Sequence, residues 1–212
     1  MAQVKVNIAR RQYGVGKIWG APLGTYTSTY APEATNGKFD LGTTAATEVP
    51  GNVAALPVGI TTEGMTFTRS IETEEDEAAE QYAPINVLVT GESAGLAFEM
   101  KTLNLTNLYF LFNAPPNQGA DPDDTTAVDV VVPTPGDEVK HQWLWCSQDD
   151  SMLILLYSAL NTGELSLSAT KGAGGMNGAV DLQGTMPDAS IAPTLFKIRV
   201  AGAKWAETVA TD

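Results

Sequence analysis

Apolar and polar residues alternate over several short stretches of the chain, which is the pattern of strands with one buried face. In the best example, Met65, Phe67 and Ile71 alternate with polar neighbours. The same signal returns in Ile85–Thr90, Leu96–Lys101, His141–Cys146, Met152–Tyr157, Glu164–Thr170, Ala179–Thr185 and Phe196–Val200. Weaker strand signals occur at Val4–Ile8 and Val128–Val132. The pattern therefore predicts a mainly β protein.

One segment has helical periodicity instead. Its apolar side chains recur at spacings of three and four residues, at Leu105, Leu108, Tyr109 and Phe112. This spacing predicts an amphipathic α-helix over about residues 101–113, ended by Pro115 because proline cannot continue a helix. Many strands with a single helix indicate two packed antiparallel sheets, as a sandwich or barrel, with the helix on their flank.

The remaining segments are rich in glycine and proline, and we expect them to form long loops. The longest is a Pro-rich loop over residues 114–138, and residues 1–20 are predicted to form an extended N-terminal arm. A chain of 212 residues fits one domain, so we expect a single β domain over residues 1–212. The N-terminus lacks an apolar secretory core and no apolar run is long enough for a membrane helix, so a cytoplasmic site of synthesis is expected.

Charge is segregated along the chain, which has a formal net charge of -13. The first 30 residues contain no acid, and their predicted basic arm carries Lys5, Arg10, Arg11 and Lys17. An acidic segment follows later, with Glu72, Glu74, Glu75, Asp76, Glu77 and Glu80. This arrangement suits head-to-tail contact between copies, although charge runs are more often simply solvated. The acidic balance also disfavours nucleic-acid binding over most of the surface.

His141 and Cys146 form the only possible thiol–imidazole pair, because each is the single residue of its type. They lie five residues apart on one predicted strand, so their side chains point to opposite faces. A nucleophile and its base must approach to about 3 Å, which this placement does not allow. We therefore predict a buried Cys146, a His141 at the rim, no catalytic residues and no enzyme activity.

Three further patterns could carry binding. Asp121, Asp123 and Asp124 lack the glycine and closing glutamate of an EF-hand, so a solvated turn is favoured over a calcium site. Residues 172–175 are glycine-rich but lack the Lys-Ser/Thr of a phosphate-binding loop. Trp143 and Trp145 lie on the same face of one predicted strand. They could be anchors of a core or an interface, or they could form a platform on which sugars stack. No metal or cofactor is predicted.

The order of elements resembles that of siphophage tail tube proteins, the major tail proteins of long-tailed bacteriophages. Residues 59–67, Gly-Ile-Thr-Thr-Glu-Gly-Met-Thr-Phe, resemble the family's strand-opening signature, and the acidic segment follows as a connection. A strand pair led by Pro84 and a helix opening with Thr102-Leu103 come next. Similar turns and closing strands lie at Tyr30–Thr35, Ala179–Asp188 and Pro193–Val200. The Pro-rich loop 114–138 has no counterpart in the family pattern.

This resemblance implies a fold similar to the type VI secretion tube subunit, in which copies join sheet edges into homohexameric rings. The rings would stack into a tail tube around a tape-measure protein, between tail terminator and tail-tip proteins. The tube would be assembled in the host bacterial cytoplasm, and in the virion DNA would pass through it without specific binding. The acidic segment would line the lumen or meet the basic arm of the next ring. The alternatives are a carbohydrate- or receptor-binding β-sandwich and a capsid decoration protein.

Overall fold

The computed structural model describes residues 16–28, 32, 34–35, 38–39, 55–76, 86–103, 105–115, 131–163, 168–169 and 176–201. Along the chain these ranges form β1 (Gly16–Pro22), β2 (Ala34–Thr35), β3 (Lys38–Phe39), β4 (Leu56–Asp76), β5 (Asn86–Leu103), a 3-10 helix (Leu105–Phe110), β6 (His141–Ser147), β7 (Met152–Asn161), β8 (Ser168–Ala169), β9 (Met176–Gly184) and β10 (Phe196–Val200). The prediction of a mainly β protein is confirmed.

Eight of these strands form one antiparallel sheet in the order β10-β7-β6-β1-β4-β5-β9-β8. An additional pairing between β7 and β9 joins strands from opposite parts of this order. It is possible because one edge of β7 pairs with β10 over Met152–Leu156 and then with β9 over Ala159–Asn161. Strands β7, β6, β1, β4, β5 and β9 therefore form a ring, which we call the closed sheet. The prediction was two packed sheets, as a sandwich or barrel; the two-sheet sandwich is not confirmed, and the described strands form one sheet that closes on itself.

The inside of the closed sheet is filled by large apolar side chains from every strand of the ring. Their alternation places one residue in two toward the interior, as a half-buried strand requires. The buried members of this inner cluster include Ile18, Val58, Leu96, Phe98, Met100, Trp143, Trp145, Ile154, Leu156, Val180 and Leu182. Burial of this apolar surface is the main force that holds the ring together.

The outer face of β6 and β7 is also buried. Leu144, Leu153 and Leu155 pack there with Cys146 and Tyr157, and loop residues that include Tyr26, Ala192 and Ala201 cover them. A strand that is buried on both faces reads as a continuous apolar run rather than as an alternation. This explains the uninterrupted sequence Met-Leu-Ile-Leu-Leu-Tyr at the start of β7.

The amphipathic α-helix predicted over about residues 101–113 is not formed. Residues 101–103 complete β5, and a 3-10 helix of six residues follows at Leu105–Phe110. Asn113 then adopts a left-handed backbone, with φ 52. Its side chain is held in place, because Nδ2 donates to Asn161 O at 2.9 Å and Oδ1 accepts from Asn161 N at 2.8 Å. The apolar spacing therefore comes from a short 3-10 helix and the turn after it, which place Phe110 and Leu111 in the inner cluster.

Strand β1 occupies residues that the sequence assigned to the N-terminal arm. Its glycines resemble turn signals, but they are needed for close packing. A Cβ atom on Gly16 would lie 2.1 Å from Trp145 Nε1, and one on Gly20 would lie 2.6 Å from the Phe110 ring. Residues 16–20 are therefore part of the closed sheet, and the arm prediction is wrong for them. Among the described residues, no helix has the length and apolar character needed to cross a membrane.

Candidate functional site

His141 and Cys146 lie on opposite faces of β6, as their spacing predicts. His141 Nε2 lies 2.9 Å from the carbonyl oxygen of Ala114, on the inner side of the strand. Cys146 belongs to the outer cluster, and its Sγ lies 3.7 Å from Asp150 Oδ1. The burial of Cys146 is confirmed, but the rim position of His141 is wrong because its exposed fraction is 0%. The structure does not bring this pair together.

Burial also removes the charged forms of both groups near neutral pH. Desolvation lowers the pKa of His141 to about 4, although its hydrogen bond to Ala114 opposes this shift. Desolvation raises the pKa of Cys146 to about 12, and the nearby Asp150 carboxylate adds to the effect. A neutral, buried thiol is a poor nucleophile. Both side chains therefore act as core residues.

The pKa of His141 makes stability dependent on pH in a defined window. Because the folded pKa of about 4 lies below the ordinary 6.5, the unfolded chain binds the proton first as the pH falls. Above pH 6.5 neutral His141 makes its full contribution to the free energy of unfolding. As the pH falls to about 4, the free energy of unfolding decreases by up to roughly 3 kcal/mol because of this group. Replacement His141→Gln keeps a donor for Ala114 and removes the titration. Urea unfolding at pH 7.5 and 4.5 should show a smaller loss in the variant, and equal losses would contradict this assignment.

Trp143 and Trp145 are buried inside the closed sheet, each with an exposed fraction of 0%. Trp143 packs edge-on against Phe110, with ring centroids 6.0 Å apart. A platform for stacking sugars must present an aromatic face to solvent, and neither ring does so. The prediction that these residues are core anchors is confirmed, and the alternative that they form a platform for stacking sugars is wrong.

No group of three or more metal-ligating side chains occurs within the described ranges. The aspartates 121, 123 and 124 and the glycine-rich stretch 172–175 lie outside those ranges. In the part of the chain that the structure describes, β4 and β5 form a large surface that the closed sheet does not account for.

Strands β4 and β5 pair with each other far beyond the closed sheet. Their register runs from Gly59 opposite Leu103 to Asp76 opposite Asn86. Strand β1 covers β4 only over Leu56–Ile60, and β9 covers β5 only over Gly95–Met100. We call Thr68–Asp76 with Asn86–Ala94 the projecting hairpin. Each of its strands is about 30 Å long at ~3.4 Å per residue.

The projecting hairpin exposes apolar side chains that a two-stranded ribbon cannot bury by itself. Exposed fractions are 43% for Ile71, 52% for Leu88 and 67% for Val89. No strand of the described part of the chain pairs with its outer edges, so backbone donors and acceptors remain available there. Within the described ranges, the hairpin therefore exposes Ile71, Leu88 and Val89 and has no strand partner on its outer edges, while at its base Ala94 is buried and Arg69 lies over the Phe196 ring.

The two faces of the hairpin differ in chemistry. The face that continues the inside of the closed sheet carries Ile71, Val89 and an ion pair in which Arg69 Nε lies 2.6 Å from Glu92 Oε1. The opposite face carries the exposed Glu72 and Glu74, together with the exposed Leu88 opposite Glu74. A Cβ atom on Gly91 would lie 2.9 Å from Glu72 Oε2, so this carboxylate lies over β5 at Gly91.

The structure thus places the first part of the acidic segment on the projecting hairpin. Glu72 and Glu74 are exposed on β4, and Glu75 and Asp76 complete that strand. Glu77 and Glu80 lie outside the described residues. Sequence reasoning found the charge and its position between two strands, but it missed the projection. That feature depends on where β1 and β9 stop pairing, which no local pattern records.

The predicted basic arm is only partly described. Lys17 lies in β1, where its Nζ is 2.9 Å from Asp150 Oδ1 within the same chain. Lys17 therefore lies in a central strand of the closed sheet and not in the predicted arm. Lys5, Arg10 and Arg11 lie outside the described residues.

No protein-family model matches the chain, and a search of the curated proteins finds no match.

Proposed function

We propose that this protein is a non-catalytic structural subunit that assembles with copies of itself. The observation that carries the proposal is the projecting hairpin. It extends a well-packed closed sheet with a ribbon that exposes Ile71, Leu88 and Val89 and has open edges within the described residues. A protein that worked as a monomer would gain nothing from this ribbon and would risk aggregation through it.

Self-association removes this liability in a direct way. An isolated two-stranded ribbon is only marginally stable in water, whereas a ribbon that adds to another sheet buries its faces and pairs its edges. When one surface of a copy binds a different surface of the next copy, each added copy offers the same free surface again. Such contacts form rings if the rotation between copies closes and filaments if it does not. The hairpin is thus suited to a head-to-tail interface.

Among such assemblies we propose the tail tube of a long-tailed bacteriophage, built from stacked hexameric rings in the virion. The support is the order of sequence elements that resembles tail tube proteins, together with the acidic end of the hairpin. Glu72 and Glu74 are exposed, and the whole chain has a net charge of -13. An acidic lumen repels phosphate, which would let DNA pass without binding. A tape-measure protein would occupy the lumen during assembly, and terminator and tip proteins would close its ends.

Negative-stain microscopy of the purified protein tests this proposal. Concentrated samples should contain tubes or rings with a hollow cross-section, and the same samples after dilution should return to single copies. The dilution series is the control, because irreversible aggregates would persist. A protein that stays monomeric at millimolar concentration, or that forms only irregular aggregates, would refute the proposed function.

A further inference from the structure

We infer that Phe196 on β10 fixes the direction of the projecting hairpin, and that the hairpin turns about its base when this contact is released. The inference concerns the single copy, so it does not depend on how copies bind each other. Only its consequence for assembly rests on the proposed function. Three features carry it, namely the position of β10, the contacts of Phe196 and the backbone at the base of the hairpin.

The free edge of β10 lies toward the hairpin of its own copy. On one edge of β7, the pairing with β9 covers Ala159–Asn161, and the pairing with β10 follows over Met152–Leu156. Both strands run antiparallel to β7, so β10 continues the line of β9. The other edge of β9 pairs with β5 over Gly95–Met100, and the hairpin part of β5 continues from there in the direction of β10.

Side chains connect β10 to the base of the hairpin. No backbone pairing joins β5 to β10 among the described strands. The Phe196 ring instead packs edge-on against Phe67 of β4, with ring centroids 4.9 Å apart. The central guanidinium carbon of Arg69 lies 5.9 Å from the centroid of the same ring. Phe196 thus contacts β4 through an aromatic pair and a cation–π contact.

Arg69 extends this contact to the second strand of the hairpin. Its Nε lies 2.6 Å from Glu92 Oε1 on β5, so one guanidinium contacts both the Phe196 ring and the Glu92 carboxylate. The Arg69 and Glu92 side chains are 49% and 35% exposed. Water therefore competes for both contacts, and they can open and close again while the core of the closed sheet stays packed.

The backbone at the base of the hairpin is suited to bending. On β4 the register with β5 shifts between Thr61 and Met65, and a bulge of this kind bends a strand. On β5, a Cβ atom on Gly184 would lie 2.8 Å from Ala94 O, so β5 and β9 are in close contact where they separate. The two strands thus enter the hairpin at a bend and at a separation point. The direction of the hairpin therefore depends on the Phe196 contact.

A fixed direction favours assembly. A hairpin that turns freely must lose this freedom when it binds, whereas a hairpin held in one direction does not. If release of Phe196 leaves about one copy in ten with the observed direction, the concentration needed for assembly rises about 10-fold. Phe196 is therefore a positioning residue, which acts through the hairpin.

Pulsed electron paramagnetic resonance of dilute protein tests the inference. Spin labels are attached at Val89→Cys on the hairpin and at Gln148→Cys in the turn between β6 and β7, which are both exposed positions. The single natural cysteine, Cys146, is buried, and an excess of unlabelled chains removes distances between copies. With Phe196 unchanged we expect one narrow distance distribution. Phe196→Leu should broaden and shift it, because the ring is lost while much of the apolar volume is kept.

Two controls separate the ring contact from general damage to β10. Phe196→Tyr keeps the ring and should restore the narrow distribution. Lys197→Ala changes the next residue of the strand, whose Nζ donates to Ser28 O at 3.1 Å, and should also leave the distribution narrow. If circular dichroism shows that Phe196→Leu does not fold, Arg69→Gln takes its place, because this side chain is 49% exposed. Arg69→Gln should broaden the distribution as well.

A narrow distribution at the unchanged distance in Phe196→Leu, or in Arg69→Gln where it takes that place, would overturn the inference. A broad distribution in the unchanged protein would overturn it too. Assembly is measured separately, by sedimentation of unlabelled chains. An unchanged protein that never assembles would refute the proposed function, while the distances would still decide the role of Phe196. A Phe196→Leu protein with broadened distances that assembles at the unchanged concentration would overturn the consequence for assembly.

Discussion

Replacement of Trp143 by alanine is expected to lower the free energy of unfolding by about 4 kcal/mol, the usual range for a large aromatic residue in a core. Trp143 has an exposed fraction of 0% and packs against Phe110 inside the closed sheet. Truncation would leave a cavity between β6 and the 3-10 helix that the surrounding strands cannot fill. Urea denaturation of the monomer, followed by circular dichroism, measures the loss.

Two further variants show whether packing is the cause. Within the described part of the chain, Trp143 Nε1 is buried without a hydrogen-bond partner, so Trp143→Phe removes little polar interaction and should cost less than half as much. Met186→Ala, at a residue exposed to 62%, should change stability by less than about 0.5 kcal/mol. A loss below about 1 kcal/mol for Trp143→Ala would contradict its place in the core.

The double replacement Ile71→Asp and Val89→Asp should leave the monomer folded and abolish assembly. Both side chains are exposed in the single copy, at 43% and 67%, so the new carboxylates stay hydrated there. In the assembly they would lie in an apolar contact, where an unpaired charge costs several kcal/mol. We expect the concentration needed for assembly to rise at least about 100-fold, which corresponds to ~2.7 kcal/mol.

The matched control for this variant is Leu23→Asp with Met186→Asp. These residues are exposed to 43% and 62% and lie outside the hairpin, so the control adds the same charge to equally exposed apolar positions. The control should assemble as the unchanged protein does. Loss of assembly in both double variants would mean that net charge, rather than the hairpin, controls association.

The strands that the sequence predicts well are those in which one local pattern dominates. Alternation along β6 correctly placed His141 and Cys146 on opposite faces, because period two is a property of any extended strand. Strand β1 was missed because Gly16 and Gly20 resemble turn residues. In the structure they are strand residues whose lack of a side chain leaves room for the Trp145 and Phe110 rings. The spacing around Leu108 correctly indicated apolar burial but not the type of helix, since a short 3-10 helix and an amphipathic α-helix bury similar positions.

The closure of the sheet and the projection of the hairpin could not be predicted in the same way. Closure depends on a pairing between β7 and β9, which is set by three-dimensional proximity and leaves no local trace. The hairpin appeared as separate strands, broken near Gly91, where the structure has a shift in register within a continuous pair. The charge of Glu72 and Glu74 was visible from the sequence, but their exposure on a ribbon was not. Local patterns thus showed which side chains share a strand face. Which strands pair with each other, and which strand edges stay unpaired, could be seen only in the fold.

The central claim is that the projecting hairpin makes the contact between copies, and sedimentation velocity over a concentration series tests it most directly. The unchanged protein, the hairpin variant Ile71→Asp with Val89→Asp, and the control Leu23→Asp with Met186→Asp are compared under identical conditions. The account predicts large, concentration-dependent species for the unchanged protein and the control, and a single monomer boundary for the hairpin variant. A hairpin variant that assembles as readily as the control would contradict the account.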